Sequence, residues 1–332
     1  MSATAAEPLL RVTDLHQRFA VPRGTVHAVS GVSLELRHGE TLGLVGESGC
    51  GKSTTGRAIL QLPPPTSGSV TFDGAELTGR SAKQLRPVRR RLQAIFQDPR
   101  SVLNPRRKVR DVVGEGLAIQ GVDTATARER VDQALLDVGL DPAQVGDRRP
   151  GEFSGGQCQR IAIARAMVLQ PELLICDEPV SALDVSVQAQ VLNVLATMRR
   201  ERSLAMLLIA HDLAVVRAFS DRVAVMYLGR IVEVGDAESI YTRPAHPYTR
   251  ALVDSVPQPD PRVSQEDTPS LHGELPSPLN PPSGCRFRTR CPLATGRCAE
   301  VEPELTEVAP GQSVACHYPL HSERPSPKGV HV

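Results

Sequence analysis

The stretch Gly46–Thr54, GESGCGKST, carries residue types and a spacing that bind phosphate. It fits G-x-x-x-x-G-K-[ST], with Gly46, Gly51, Lys52 and Ser53 at the fixed places. Glycines let backbone N–H groups turn inward around an anion without a Cβ clash, and a following helix adds unpaired donors and partial positive charge. Lys52 is placed to reach the β- and γ-phosphates and Ser53 to ligate Mg²⁺, with Ser48, Gly49, Cys50 and Thr54 completing the cradle. A glycine-rich turn with a chance lysine is the plain alternative. It is set aside because strand, loop and helix patterns fall in register. The apolar run Thr41–Val45 precedes the loop and a helical pattern, Thr54–Leu60, follows it.

Other candidates stand at the ends of further apolar runs. Leu173–Cys176 is a continuous apolar strand that ends in Asp177-Glu178, the way a Mg²⁺ partner is brought to a phosphate loop. Ala205–Ala210 ends in His211-Asp212. A lone His is more often structural, but the tip of a strand beside Asp177 makes a functional role equally reasonable. Ser154-Gly155-Gly156-Gln157 opens a helix: Ser154 is a good N-cap, and the glycines leave N–H groups open to an anion.

These groups need an α/β frame to position them. Leu9–Phe19 and Val26–Leu36 read as an antiparallel pair joined by Ala20–Thr25, with further strands at Ser69–Phe72 and at the end of Arg89–Phe96. Phe19 could stack on a purine or be a half-buried strand residue. From about 101 to 170 strand signals vanish and apolar residues recur at helical spacing, which predicts an inserted helical subdomain. Arg86, Arg89, Arg90, Arg91, Arg106, Arg107 and Arg110 make its approach basic, either as a solvated face or as a docking surface. Ser181–Asp184 leads into a helix reaching Arg202; 223–227 and 230–234 form a hairpin; 236–254 is helical, broken by Pro244 and Pro247. Pro257–Pro282 holds eight prolines and reads as an extended linker or wrapping segment.

A chain of 332 residues can bury a real core, in one large domain or two modest ones. A net charge of +1 and few aromatics, with no Trp, give no sign of a nucleic-acid surface. No apolar run approaches a spanning helix, and MSATAAEPLL has no signal-peptide pattern. The expectation is a soluble, cytoplasmic protein unless a partner holds it at a membrane.

In this order, the motifs resemble the ATP-binding subunit of an ABC transporter, over residues 9–235. The resemblance makes Gly46–Ser53 the Walker A loop, Gln97 the Q-loop glutamine, Phe153–Gln157 the signature, and Leu173–Asp177 the Walker B strand. It also makes Glu178 the catalytic carboxylate, Ser181–Asp184 the D-loop, His211 the switch histidine and Phe19 the aromatic that stacks on adenine. The implied fold is a P-loop ABC-type domain: a RecA-like core, an antiparallel β-subdomain and an inserted helical subdomain, over residues 8–256. In this family two subunits pair head to tail, with ATP between one Walker A and the other's signature. Lys52 and Ser53 would then hold phosphates and Mg²⁺, Gln97 and Asp177 complete the metal shell, and Glu178 act as general base. His211 would contact the γ-phosphate, Ser154, Gly155, Gly156 and Gln157 would bind nucleotide across the dimer, and Asp184 would lie at that interface.

A narrower resemblance covers the tail. His246-Pro247-Tyr248-Thr249, the proline-rich stretch and GCRFRTRCP…C…ACH look like the ATPase subunits of oligopeptide and dipeptide importers, in which nickel or another small solute is a variant cargo. It implies a peripheral protein on the cytoplasmic side of the cell membrane. Its partners would be two permease subunits, an extracytoplasmic solute-binding protein and a second, non-identical ATPase subunit. A soluble ABC ATPase working on nucleic acid or ribosomes would carry a long coiled coil or a second cassette, and neither pattern is present. Intact Glu178 and His211 argue against a purely regulatory subunit, and the tail against an exporter.

Cys285, Cys291, Cys298 and Cys316, in a C-terminal extension over 257–332, are spaced C-x₅-C-x₆-C-x₁₇-C, unlike the short knuckles of structural zinc. Four thiolates from irregular loops suit a cubane, and a metal would anchor a tail too proline-rich to fold alone. The resemblance agrees, since some importer subunits of this type hold a [4Fe–4S] cluster here. Zinc, with His317 in reserve, and free or oxidised thiols are the alternatives.

Overall fold

A computed structural model describes residues 7–181, 183–256 and 274–320. The chain opens with β1 (Leu10–Val21) and β2 (Gly24–Leu36), followed by β3 (Thr41–Val45), α1 (Lys52–Ile59), β4 (Ser67–Phe72) and β5 (Ala75–Glu76). Next come α2 (Ala82–Arg91), β6 (Leu92–Ile95), α3 (Pro99–Val102), α4 (Val109–Ile119), α5 (Thr124–Asp137), α6 (Pro142–Val145) and α7 (Gly155–Met167). Then follow β7 (Leu173–Asp177), α8 (Val185–Arg202), β8 (Ala205–Ala210), α9 (Leu213–Phe219), β9 (Arg222–Tyr227), β10 (Arg230–Asp236), α10 (Ala237–Thr242) and α11 (Pro247–Asp254). The tail adds α12 (Gly296–Glu300), β11 (Thr306–Ala309) and β12 (Gln312–Val314).

Two sheets result. A four-stranded antiparallel sheet has the order β2-β1-β4-β5, and an eight-stranded sheet the order β11-β12-β10-β9-β3-β8-β7-β6. The centre of the larger sheet is parallel: β3 pairs with β8 and β9, and β7 with β6 and β8. β3, β7 and β8 are buried along their whole length, as expected for strands covered on both faces. Their alternation divides the core. Leu42, Leu44, Leu173, Ile175, Leu207 and Ile209 pack with Ala58 and Ile59 of α1 and the small sheet. Leu174, Cys176, Met206 and Leu208 face the other way, joining Ile161 of α7 and Leu195 of α8.

The first hairpin is longer than its alternation predicts. Pairing continues to Val21 opposite Gly24, leaving only Pro22 and Arg23 in the turn. α1 begins at Lys52, two residues earlier than expected, because Gly51 at φ 108° serves as its N-cap. α2 went unseen, although its Ser81–Gln84 capping box is a readable signal. Two prolines divide 236–254 as expected, Pro247 sitting at the first turn of α11. Pro257–Pro282 lies outside the described residues as far as 273; beyond that, the Pro278 carbonyl accepts from the His27 N–H across β2 (3.0 Å). The two strands of the tail were not anticipated: β12 pairs with β10 and extends the main sheet. No helix of the described residues is long and apolar enough to cross a membrane.

Candidate active site

Parallel strands deliver the chemical groups to one end of the sheet. β3 ends in the Gly46–Thr54 loop, and only glycine fits at its two tightest points. A Cβ on Gly46 would stand 2.1 Å from the Met226 carbonyl, and one on Gly51 2.2 Å from that of Ala28. The Lys52 side chain is buried, and its ammonium donates to the carbonyls of Gly46 (2.8 Å) and Glu47 (3.0 Å). Ser48 and Gly49 are exposed, while Ser53 and Thr54 are half-buried. Cys50 is buried, and that burial pushes its thiol up, so it sits in the loop as a neutral group.

The Ser53 hydroxyl donates to Asp177 Oδ1 at 2.6 Å, joining the loop to the tip of β7 across β8. Burial pushes the Asp177 carboxyl up, opposed by the Ser53 bond and the charges of Arg57 and Lys52. These are hard oxygen donors of the kind Mg²⁺ takes alongside substrate phosphates. Next in the chain, Glu178 has φ 47°. For a non-glycine residue the left-handed region costs about 1–2 kcal/mol, and here its N–H donates to the Ile209 carbonyl (2.9 Å), pinning the turn to β8. Glu178 Oε2 accepts from Gln97 Nε2 (2.9 Å) and lies 3.6 Å from His211 Nδ1. The structure therefore brings Lys52, Ser53, Gln97, Asp177, Glu178 and His211 into one corner, although β6, β7, β8 and the β3 loop supply them separately.

Ser154–Gln157 is built differently. The Ser154 hydroxyl accepts from the Gln157 N–H (3.3 Å), and Gln157 Oε1 accepts from the Ser154 N–H (3.1 Å), a capping box that closes on itself at the start of α7. A Cβ on Gly156 would meet Val187 at 2.4 Å, so the small residue lets α7 lie against α8. Ser154 and Gln157 are exposed, with Gly155 half-covered. Asp184 caps α8, accepting from the Val187 N–H (3.0 Å) and the Ser186 hydroxyl (2.7 Å), bonds that hold its carboxyl below the usual range. Ala182, inside the expected D-loop, lies outside the described residues. Phe19 is 38% exposed on β1, opposite Val26.

Six of the seven arginines of the basic stretch fall into two groups, Arg106 being exposed and in neither. Arg91 is paired at the surface with acidic partners of its own chain, Glu172 (2.5 and 2.7 Å) and Asp73 (2.6 Å); Arg107 pairs with Glu115, and Arg110 with Asp132 and Asp147. Arg86, Arg89 and Arg90 instead line a groove between α2, β6, α4 and α7, beside Leu62, Phe96 and Ile119.

In the tail, the Cys285 N–H donates to the Cys298 carbonyl (2.8 Å), closing a tight loop at Gly284. The N–H groups of Phe287, Leu293 and Tyr318 face the sulfurs of Cys285, Cys291 and Cys316, each two residues back. Burial pushes these three thiols up, Cys316 to about 11, and charge on the neighbouring cysteines adds to the rise. Among the described residues no group of three or more His, Cys, Asp or Glu is gathered as the ligands of a metal ion. His317, the reserve ligand, is engaged elsewhere, with Nε2 2.9 Å from the Val301 carbonyl.

Sequence reading missed what stands behind the loop. The Glu47 N–H donates to Tyr248 Oη (2.9 Å), the Gly229 N–H donates to the Cys50 carbonyl (2.7 Å), and Arg290 grips the Glu47 carboxylate. An acidic residue inside a loop of this glycine-and-lysine pattern was the available signal, since next to an expected anion site it needs a cation to offset it.

Residues 29–181 match the family described as ABC transporter, and residues 232–298 the oligopeptide/dipeptide transporter C-terminal region. The oligopeptide transport ATP-binding protein OppF of Escherichia coli K12 is 52% identical over 320 residues, covering 93% of this chain and 95% of the relative. OppF of Salmonella typhimurium LT2 is 52% identical over 309 residues, covering 90% and 92%. Among solved structures, cbiO1 from Clostridium perfringens, part of the ABC transporter complex cbiONQ, aligns with a TM-score of 0.63 at 29% identity, covering 71% of this chain and 92% of that one. The ATP-binding cassette MJ0796, in a dimeric post-hydrolysis state bound to ADP and Pi, aligns with a TM-score of 0.64 at 25% identity, covering 69% and 98%.

Proposed function

The chain belongs to the ATP-binding subunits of ABC transporters, of the oligopeptide and dipeptide type, and we propose that it hydrolyses ATP to drive peptide import through membrane permeases. The observation that carries this reading is the single corner where Lys52, the Ser53–Asp177 pair and the Gln97–Glu178–His211 group meet. Lys52 would exchange its carbonyl partners for the β- and γ-phosphates. Ser53, Asp177 and Gln97 would hold Mg²⁺, which neutralises phosphate charge when bound. Glu178 accepts the proton of the attacking water, held in line by Gln97 and His211.

The corner is half of a site. Ser154–Gln157 starts a separate helix with exposed residues, so its N–H groups would meet the γ-phosphate held by another subunit. We propose a heterodimer with a second ATPase subunit, with Asp184 at the interface and Phe19 against the adenine. The groove lined by Arg86, Arg89, Arg90, Phe96 and Ile119 adjoins Gln97 and suits a helix from a permease loop. Delivery of peptide by an extracytoplasmic binding protein, and a location on the inner face of the membrane, complete the proposal. The test is Glu178→Gln: it should cut hydrolysis by roughly 10³-fold and leave an ATP-bound dimer resolvable by gel filtration. Hydrolysis at the wild-type rate in that variant would refute the assignment of the base.

For the tail we propose that Cys285, Cys291, Cys298 and Cys316 hold an iron–sulfur cluster, with zinc as the alternative. What supports the reading is the donor type: four thiols, three of them faced by amide N–H groups that would stabilise thiolates, although the described cysteines are not gathered as ligands and their loops would have to draw together around the group. The cluster would staple the irregular loops together. Protein purified anaerobically should contain iron and acid-labile sulfide; stoichiometric zinc in colourless protein would replace the cluster with the alternative.

A further inference from the structure

The phosphate-binding loop is held from the far end of the chain. Glu47, the residue after Gly46, has its carboxylate gripped by both terminal nitrogens of Arg290, at 2.7 and 3.0 Å. The Arg290 side chain is 6% exposed and that of Glu47 23%. A fully exposed pair would count for little, but a two-pronged pair whose cation is buried and whose carboxylate is largely covered is strong and directional. Arg290 lies over the ring of Tyr227, 6.0 Å from its centroid, and Tyr227 packs edge-on against Tyr248 (4.7 Å) and Phe287 (5.2 Å). Tyr248 returns to the loop, its Oη accepting from the Glu47 N–H (2.9 Å). The Glu47 carbonyl in turn accepts from Lys52 (3.0 Å). One loop residue thus joins the tail to the phosphate-binding lysine by its side chain, its N–H and its carbonyl.

Anchoring the tail is a poor explanation for this pair. Phe287 is buried in the main core, and β12 is already bonded into the sheet through Val314 opposite Glu233. Packed apolar side chains of similar volume often stabilise as well as or better than a buried ion pair, so a charged pair here calls for a positional reason.

We infer that Arg290, acting through Glu47, is a positioning residue for the nucleotide, setting the shape of the phosphate loop from 243 residues away. This rests on Gly46–Ser53 being the ATP site. Because Arg290 acts through Glu47, its effect falls on binding of ATP and ADP alike, since both place phosphates in the same loop.

The test is equilibrium binding of MgATP and MgADP to the full chain, with KM and kcat of its ATPase. Glu47→Gln and Arg290→Gln should each weaken both nucleotides about tenfold, equivalent to about 1.4 kcal/mol, with KM rising and kcat at saturating ATP holding within about twofold. Arg290→Lys, which keeps the charge and loses the fork, should fall between. The Glu47→Gln/Arg290→Gln double variant should be no weaker than the worse single variant, since the ion pair to Glu47 is what the two changes share. Glu47→Gln leaves the tail's core intact, so it stays readable should Arg290→Gln fail to fold. Wild-type affinity in Glu47→Gln, or losses that multiply in the double variant, would overturn the inference. Wild-type protein that binds neither nucleotide would instead remove the ATP site on which it rests.

Discussion

The loop before α1 and the loop before α7 both place small residues at a helix N-terminus, yet they are finished to different degrees. At the first, Lys52 is buried, Ser53 is bonded to Asp177, and Glu47 is tied to Tyr248 and Arg290, elements far apart in the chain. At the second, Ser154 and Gln157 bond each other and remain exposed. A buried, cross-braced loop has its shape settled before ligand arrives, which lowers the ordering cost of binding. A loop satisfied only by its own cap can be met by an external partner without breaking the fold. On the proposed reading, this difference lets one chain supply two phosphate-binding surfaces that do not compete for the same phosphate.

Substitutions on the two sides should separate them. Of the two, Lys52→Ala carries the larger expected effect on nucleotide affinity, removing charge-assisted bonds to phosphate worth about 2–3 kcal/mol and so weakening MgATP about 30- to 150-fold; fluorescence titration of the isolated chain measures it. Ser154→Ala should leave that single-chain affinity within about twofold while lowering hydrolysis by the assembled dimer about tenfold. It also removes a helix cap, costing about 1 kcal/mol of stability, which thermal melts would register separately. If Ser154→Ala weakened nucleotide binding by the isolated chain as much as Lys52→Ala does, the two loops would form one site in one chain and the head-to-tail reading would fail.

How much could be read without coordinates followed the range of the interactions. Gly46–Ser53 was legible because the loop's chemistry is local: glycines that admit N–H donors, a lysine and a hydroxyl within a few residues. Asp177, Glu178 and His211 were legible because each ends an apolar run, and buried parallel strands announce themselves by composition. The limits of β1 and β2 were misjudged where pairing, not alternation, decides how far a strand runs. The basic stretch was read as one surface, yet Arg91, Arg107 and Arg110 are spent on acidic partners within the fold, which charge counting does not reveal. The tail's two short strands were missed because three or four residues carry too little periodicity, and their pairing with β10 comes from the fold.

The amino-acid sequence by itself determined which groups could meet a nucleotide, since residue type and short spacing are properties of the chain. It also determined the family, through the order in which those groups occur. Only the tertiary structure decided how they meet: strand order put β8 between β3 and β7, so that Ser53 reaches Asp177 and Glu178 reaches His211. It alone brought Arg290 to Glu47. Contacts across such separations depend on how sheets and helices pack, and no local pattern encodes that packing.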